Sequence, residues 1–127
     1  MEGVCVPCSD MDQSSILSSE DVNEMLKDMP LWKLNSNGHL SRVFIAKNFT
    51  AAMDFLNQAA AVAESMGHHP DMHLTSYRQV EIVLYTHSVG GLTQADFMEA
   101  RKLDELPVTY SPKWYRENFP SQDTGKS

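Results

Sequence analysis

The fold this 127-residue sequence predicts is an α+β domain: an antiparallel four-stranded sheet with three helices on one face, in the order α-β-β-α-β-β-α. Three observations predict it. Two capping boxes each open a helical pattern, pairs of short branched and aromatic runs flank turn residues, and one long apolar helical pattern separates the pairs.

The first element runs from Leu17 to Met29. Ser18 and Asp21 form an S-x-x-D capping box, Leu17 and Val22 take the staple positions, and Val22, Met25, Leu26 and Met29 recur at helical spacing. Pro30 ends it. Trp32 to Leu34 and Leu40 to Ala46 read as a hairpin, because Asn35, Ser36, Asn37 and Gly38 between them are turn formers. Phe49 to Met66 is the longest helical pattern, opened by Asn48 as N-cap and closed by Gly67, with Pro70 three residues beyond. Its polar residues make one interrupted stripe, so it has more apolar surface than one sheet face covers. That surplus predicts a second copy of helix 49–66, from another subunit, as its partner in a homo-oligomer, with sheet edges as further contacts. Met72 to Tyr77 reads as a short strand beside Val80 to His87, in which Val80, Ile82 and Leu84 alternate with Glu81, Val83, Tyr85 and His87. Gly90 and Gly91 break the run. Thr93 and Asp96 then make the second capping box, stapled by Leu92 and Phe97, for a helix to about Leu106.

These elements place one domain over residues 17–107. A disordered tail over 1–16 precedes it, and an extension over 108–127 follows, in which Tyr110, Trp114, Tyr115 and Phe119 pack on the domain before a disordered SQDTGKS end. Hydrophobic residues at 42% and charged residues at 21% match ordinary soluble proteins, so the chain needs neither metal nor disulfides to fold. Seventeen acidic against ten basic side chains leave a net charge of −7, which repels phosphate backbones and anionic lipids and argues against nucleic acid and membrane as direct partners. No apolar run approaches the roughly 20 residues that span a bilayer, and the N-terminus lacks the pattern of a signal peptide, so a cytoplasmic location is expected. Cys5 and Cys8 form a C-V-P-C in the polar tail and read as reduced thiols, with no second pair to complete a zinc site.

Four of the five histidines fall between His68 and His87. An imidazole titrates near neutrality, so acid and base forms are both on hand. His68 and His69 are adjacent on the extended backbone that Pro70 imposes, so their rings point in different directions. Glu64 sits in the last turn of its helix, where the macrodipole disfavours a carboxylate; it suits a partner that orients an imidazole.

The segment E-S-M-G-H-H-P from Glu64 to Pro70, then Tyr77, then T-H-S-V-G-G-L-T-Q-A-D from Thr86 to Asp96, resembles the signature of the pterin-4a-carbinolamine dehydratases. The likeness extends over roughly Leu17 to Leu106. It implies the family fold, assembly as dimers or dimers of dimers, and dehydration of 4a-hydroxytetrahydropterin to quinonoid dihydropterin without metal or cofactor, as in tetrahydrobiopterin recycling. By position it implies His68, His69 and His87 as catalytic residues, Glu64 and Asp96 as supporting acids, and His68, His69, Pro70, Thr86, His87 and Ser88 as contacts to the pterin. His68 and His87 are expected to move the protons, with His69 orienting the ring. The chain departs from the family pattern in carrying Met72 two residues after the proline and in its aromatic C-terminal extension.

Two other readings compete. His69, Asp71 and His73 alternate along an extended segment and, with His87, would make a metal site. The resemblance also implies a role as dimerisation cofactor of a transcription factor, with the apolar helix 49–66 docking a foreign helix.

Overall fold

The computed structural model describes residues 16–119. Cys5, Cys8, nearly all of the expected N-terminal tail and the SQDTGKS end lie outside those residues. The elements are α1 (Ser19–Leu26), β1 (Lys33–Leu34), β2 (Leu40–Ile45), α2 (Phe49–Met66), β3 (Asp71–Thr75), β4 (Gln79–Leu84), α3 (Gln94–Asp104) and α4 (Pro112–Asn118). The strands form one antiparallel sheet in the order β1-β2-β4-β3. This is the α+β architecture the sequence predicts, with a fourth helix added.

Strand alternation decides which face is buried. Leu40, Phe44, Val80, Ile82 and Leu84 are fully buried on one side of β2 and β4, whereas Val43 on the other side is exposed. Ala52, Phe55, Ala59 and Ala63 of α2 and Phe97, Ala100 and Leu103 of α3 are buried with them. Phe44 meets Phe55 edge to face at 5.0 Å between centroids. Each such phenylalanine contributes about 1.5–3 kcal/mol through burial. One charged side chain lies on the core side of β2: Arg42, 3% exposed, donates to Asp104 Oδ1 at 3.0 Å and to the Tyr110 hydroxyl at 2.9 Å. Asp104 also accepts from the Trp32 indole at 2.9 Å.

Local chemistry explains the helix ends. Ser18 accepts from Asp21 N, Asn48 accepts from Ala51 N, and Thr93 and Asp96 complete a reciprocal capping box. α1 is shorter than expected. Lys27, Asp28 and Met29 donate to Glu24, Met25 and Leu26, three residues back, so the expected last turn tightens before Pro30.

Both later strands end sooner than their patterns suggest. β3 stops at Thr75 because Ser76 and Tyr77 turn the chain at φ 50° and 54°, a left-handed pair suited to a tight hairpin. β4 stops at Leu84, which pairs with Leu40 at the start of β2; on its other side the last pairing is Asp71↔Val83, and the next partner there, Pro70, has no N–H to donate. Thr86 instead bridges to Gly91 across a turn. α4 was not among the expected helices, although Ser111 as N-cap and Pro112 in the first turn mark its start. Its segment joins the sheet through Ser111 N to Ile45 O at 2.8 Å, and Trp114 and Tyr110 stack at 5.2 Å beside Phe44.

Candidate active site

The end of α2 decides where its two histidines go. Gly67 adopts φ 64°, a left-handed conformation that costs glycine nothing, and His68 N reaches back to Ala63 O in a helix-ending bond. The chain then extends through His69 to Pro70, and the two rings part.

His68 turns inward and is 1% exposed. Its Nε2 lies 2.5 Å from Asp96 Oδ1, and Asp96 is itself fully buried. The other carboxylate oxygen of Asp96 accepts from Thr86 Oγ1 and from Thr93 N, both at 2.9 Å, while the two threonine hydroxyls meet at 2.8 Å. Asp96 thus completes the α3 cap with one oxygen and holds His68 with the other. Burial by itself would lower the pKa of His68, but the hydrogen bond and charge of Asp96, helped by Glu99, outweigh it and hold the imidazole above its ordinary 6.5.

His69 turns outward. Its side chain is 60% exposed, and Nε2 lies 2.6 Å from Glu64 Oε2 across one turn of chain. So exposed a pair adds little stability, yet it fixes the orientation of the ring. His87 is also exposed and packs against Tyr85 at 4.3 Å between centroids. It follows Thr86 directly, so its backbone is one residue from the Asp96 network. Pro70 is half-buried and Ser88 exposed.

Two participants escaped sequence reasoning. His39, on the β1–β2 hairpin, stacks on Tyr85 at 3.9 Å with rings 8° from parallel, while His87 meets the same Tyr85 at a 49° tilt, so the three rings form one cluster. Glu99 lies one turn after Asp96 on α3, fully buried; burial pushes its carboxyl from 4.5 up to about 7, against the opposing charge of His68 and with reinforcement from Asp96. Sequence offers no signal for His39 beyond its place beside the hairpin glycine, and Glu99 reads there as an ordinary helix acid.

The metal reading does not survive the geometry. Among the described residues no three His, Cys, Asp or Glu side chains converge to hold an ion. His69 turns to Glu64, and His73 pairs in register with Glu81 from the middle of the edge strand β3. A cleft of about 630 Å³ lies between the β1–β2 edge and α4, lined by Leu31, Lys33, Val43, Tyr110 and Trp114, and includes none of the histidines.

What the arrangement offers chemically is two solvent-reachable imidazoles, His69 backed by a carboxylate and His87 packed on Tyr85, and a third, His68, locked into the core against Asp96. A family model described as Pterin 4 alpha carbinolamine dehydratase matches residues 15–106. Pterin-4-alpha-carbinolamine dehydratase 2, mitochondrial, of Arabidopsis thaliana is 39% identical over 107 residues, 82% of this chain and 57% of that protein. A Chloroflexus aggregans protein whose name places it in the same family is 42% identical over 90 residues, 71% of this chain and 95% of its own. Among solved structures, the transcriptional coactivator/pterin dehydratase from Brucella melitensis is similar with a TM-score of 0.65 at 34% identity, covering 70% of this chain and 95% of that one. No helix among the described residues is long and apolar enough to cross a membrane.

Proposed function

The chain belongs to the pterin 4 alpha carbinolamine dehydratase family, and from that premise we propose that it dehydrates a 4a-hydroxytetrahydropterin by histidine acid–base chemistry. Hydroxide leaves poorly, since water has a pKa near 15.7, so an acid must protonate the 4a-oxygen as the C4a–O bond breaks. A base takes the N5 proton, the C4a=N5 bond forms, and one water departs. Atoms and charge balance without any further reactant.

The observation that carries this reading is the His69–Glu64 pair, an imidazole open to a ligand and oriented by a carboxylate at 2.6 Å. Exposure favours a division of labour different from the expected one. His69 and His87 are the rings a substrate can touch, so they are assigned the proton transfers, with Pro70 and Ser88 as neighbouring contacts to the pterin. His68 and Thr86, sealed against Asp96, are assigned the support of that surface. Turnover of synthetic 4a-hydroxytetrahydropterin by the purified chain tests the activity. His69→Ala is expected to lower kcat by about 10² to 10⁴. An unchanged rate in both His69→Ala and His87→Ala would remove the mechanism.

Self-association through α2 belongs to the same proposal. Phe49 and Met53 are 51% and 36% exposed on its outer side, an apolar pair that a second copy of the helix would cover.

A further inference from the structure

Glu99 has no part in the chemistry assigned so far, and stability does not explain it. It lies three residues after Asp96 and four before Leu103, on the face of α3 that also buries Ala100. An apolar side chain would suit that stripe. Instead a carboxyl sits there fully buried, and neither of its oxygens meets a hydrogen-bond partner among the described residues. Buried polar groups are ordinarily paired, and an unpaired acid in the interior is destabilising in either protonation state, most of all when ionised. The charged groups that act on it are His68 and His69 from the α2–β3 connection and Asp96 from its own helix. All three belong to the histidine site.

We propose that Glu99 is a positioning residue of that site, an acid buried beside the His68–Asp96 pair that sets the charge on His68 and thereby the pH range over which the site turns over. The inference rests on the dehydratase reading above for its link to turnover. While Glu99 keeps its proton, His68 has one buried anion beside it, Asp96. Once Glu99 ionises, a second buried anion acts on the same imidazole and holds its proton more tightly. The cluster therefore resists losing the charge on His68 just where neutral solution would begin to remove it. Burial holds the Glu99 proton until about pH 7, which places the coupling in the working range. No covalent bond forms or breaks in this role: Glu99 and His68 each carry a titratable proton beside Asp96, the loss of the first tightens the hold on the second, and the Asp96 oxygen on His68 stays where it is.

The test uses the full chain with Glu99→Gln, which keeps the shape and removes the ionisation, Glu99→Leu, which removes the polarity as well, and Glu99→Asp as the conservative rescue. Two readouts are taken: kcat/KM against pH with synthetic 4a-hydroxytetrahydropterin, and the titration of the His68 ring by NMR. In both Glu99→Gln and Glu99→Leu the His68 titration and the alkaline limb of the profile are expected to move down by ~0.5–1 pH unit, with Glu99→Asp recovering most of the shift. Titrations and profiles that superimpose on the wild type would overturn the proposal and leave Glu99 as a packing residue. A wild-type chain inert toward the pterin, with a His68 titration still displaced by Glu99→Gln, would instead sink the dehydratase reading and leave the coupling of Glu99 to His68 standing.

Discussion

Replacing Glu99 by glutamine should change how stability depends on pH, and the size of the change follows from where the carboxyl sits. Glu99 is fully buried, and its pKa rises from 4.5 in the unfolded chain to about 7 in the folded one. The folded state therefore holds this proton more tightly than the unfolded state does. Below pH 4.5 both states are protonated and the group is neutral to stability. Between 4.5 and about 7 the unfolded chain releases the proton while the folded chain keeps it, so stability falls as pH rises; above about 7 both are ionised and the loss is complete. A shift of this size corresponds to about 3 kcal/mol, or a melting temperature lower by roughly 10 °C for a chain of this length. His68 acts in a neighbouring window with the same sign. Its raised pKa gives stability that is fully present below 6.5 and lost as pH rises through the folded value. That term differs between the two proteins only by the ~0.5–1 pH unit that Glu99→Gln is expected to take from the His68 titration, so the acid dominates the difference between them. Urea unfolding followed by tryptophan fluorescence from pH 4.5 to 8 measures it, with Trp32, 4% exposed, as the reporter. Wild type should lose about 3 kcal/mol relative to the variant across that range. Parallel curves would refute the argument, because they would mean that Glu99 titrates alike in the folded and unfolded chains.

Three other substitutions probe separate parts of the structure. Asp104→Ala removes the one carboxylate that pairs with the buried Arg42 guanidinium among the described residues and should cost about 3–5 kcal/mol in thermal or urea unfolding; a loss under about 1 kcal/mol would mean the pair behaves as a surface contact. Tyr77→Gly relieves a left-handed residue at φ 54° whose side chain is 60% exposed, and should stabilise the chain by about 1 kcal/mol, whereas a destabilised variant would show that the tyrosine ring holds the turn. Phe49→Glu puts a charge on the outer side of α2 and, on the proposed self-association through that helix, should give monomers in light scattering without lowering the helical signal; a mass equal to that of the wild type would count against α2 as the interface.

Much of the fold could be read residue by residue, because helix ends are made of local chemistry. Asn48 and Gly67 bound α2 as expected, since a side-chain cap and a left-handed glycine act within four residues of themselves. The Thr93–Asp96 box starts α3 for the same reason. Strand ends were less legible. β4 continues only while its two neighbours offer partners: β2 begins at Leu40, opposite Leu84, and β3 is bounded by Pro70 at one end and by the Ser76–Tyr77 turn at the other. The alternation of Tyr85 and His87 is genuine, but nothing within that run reveals that its ladder has ended.

Composition, spacing and caps alone determined that this chain makes an antiparallel sheet with helices on one face, and that two adjacent imidazoles follow the end of α2. Those features depend on neighbours in the chain. Tertiary structure alone decided which of two adjacent histidines enters the core, because that depends on α3 presenting Asp96 to the end of α2. It likewise decided that Asp96 divides its oxygens between the helix cap and the imidazole, and that Glu99 sits in the interior rather than in water. A carboxylate's surroundings are set by whatever packs against it through space, and those groups come from segments about 30 residues apart.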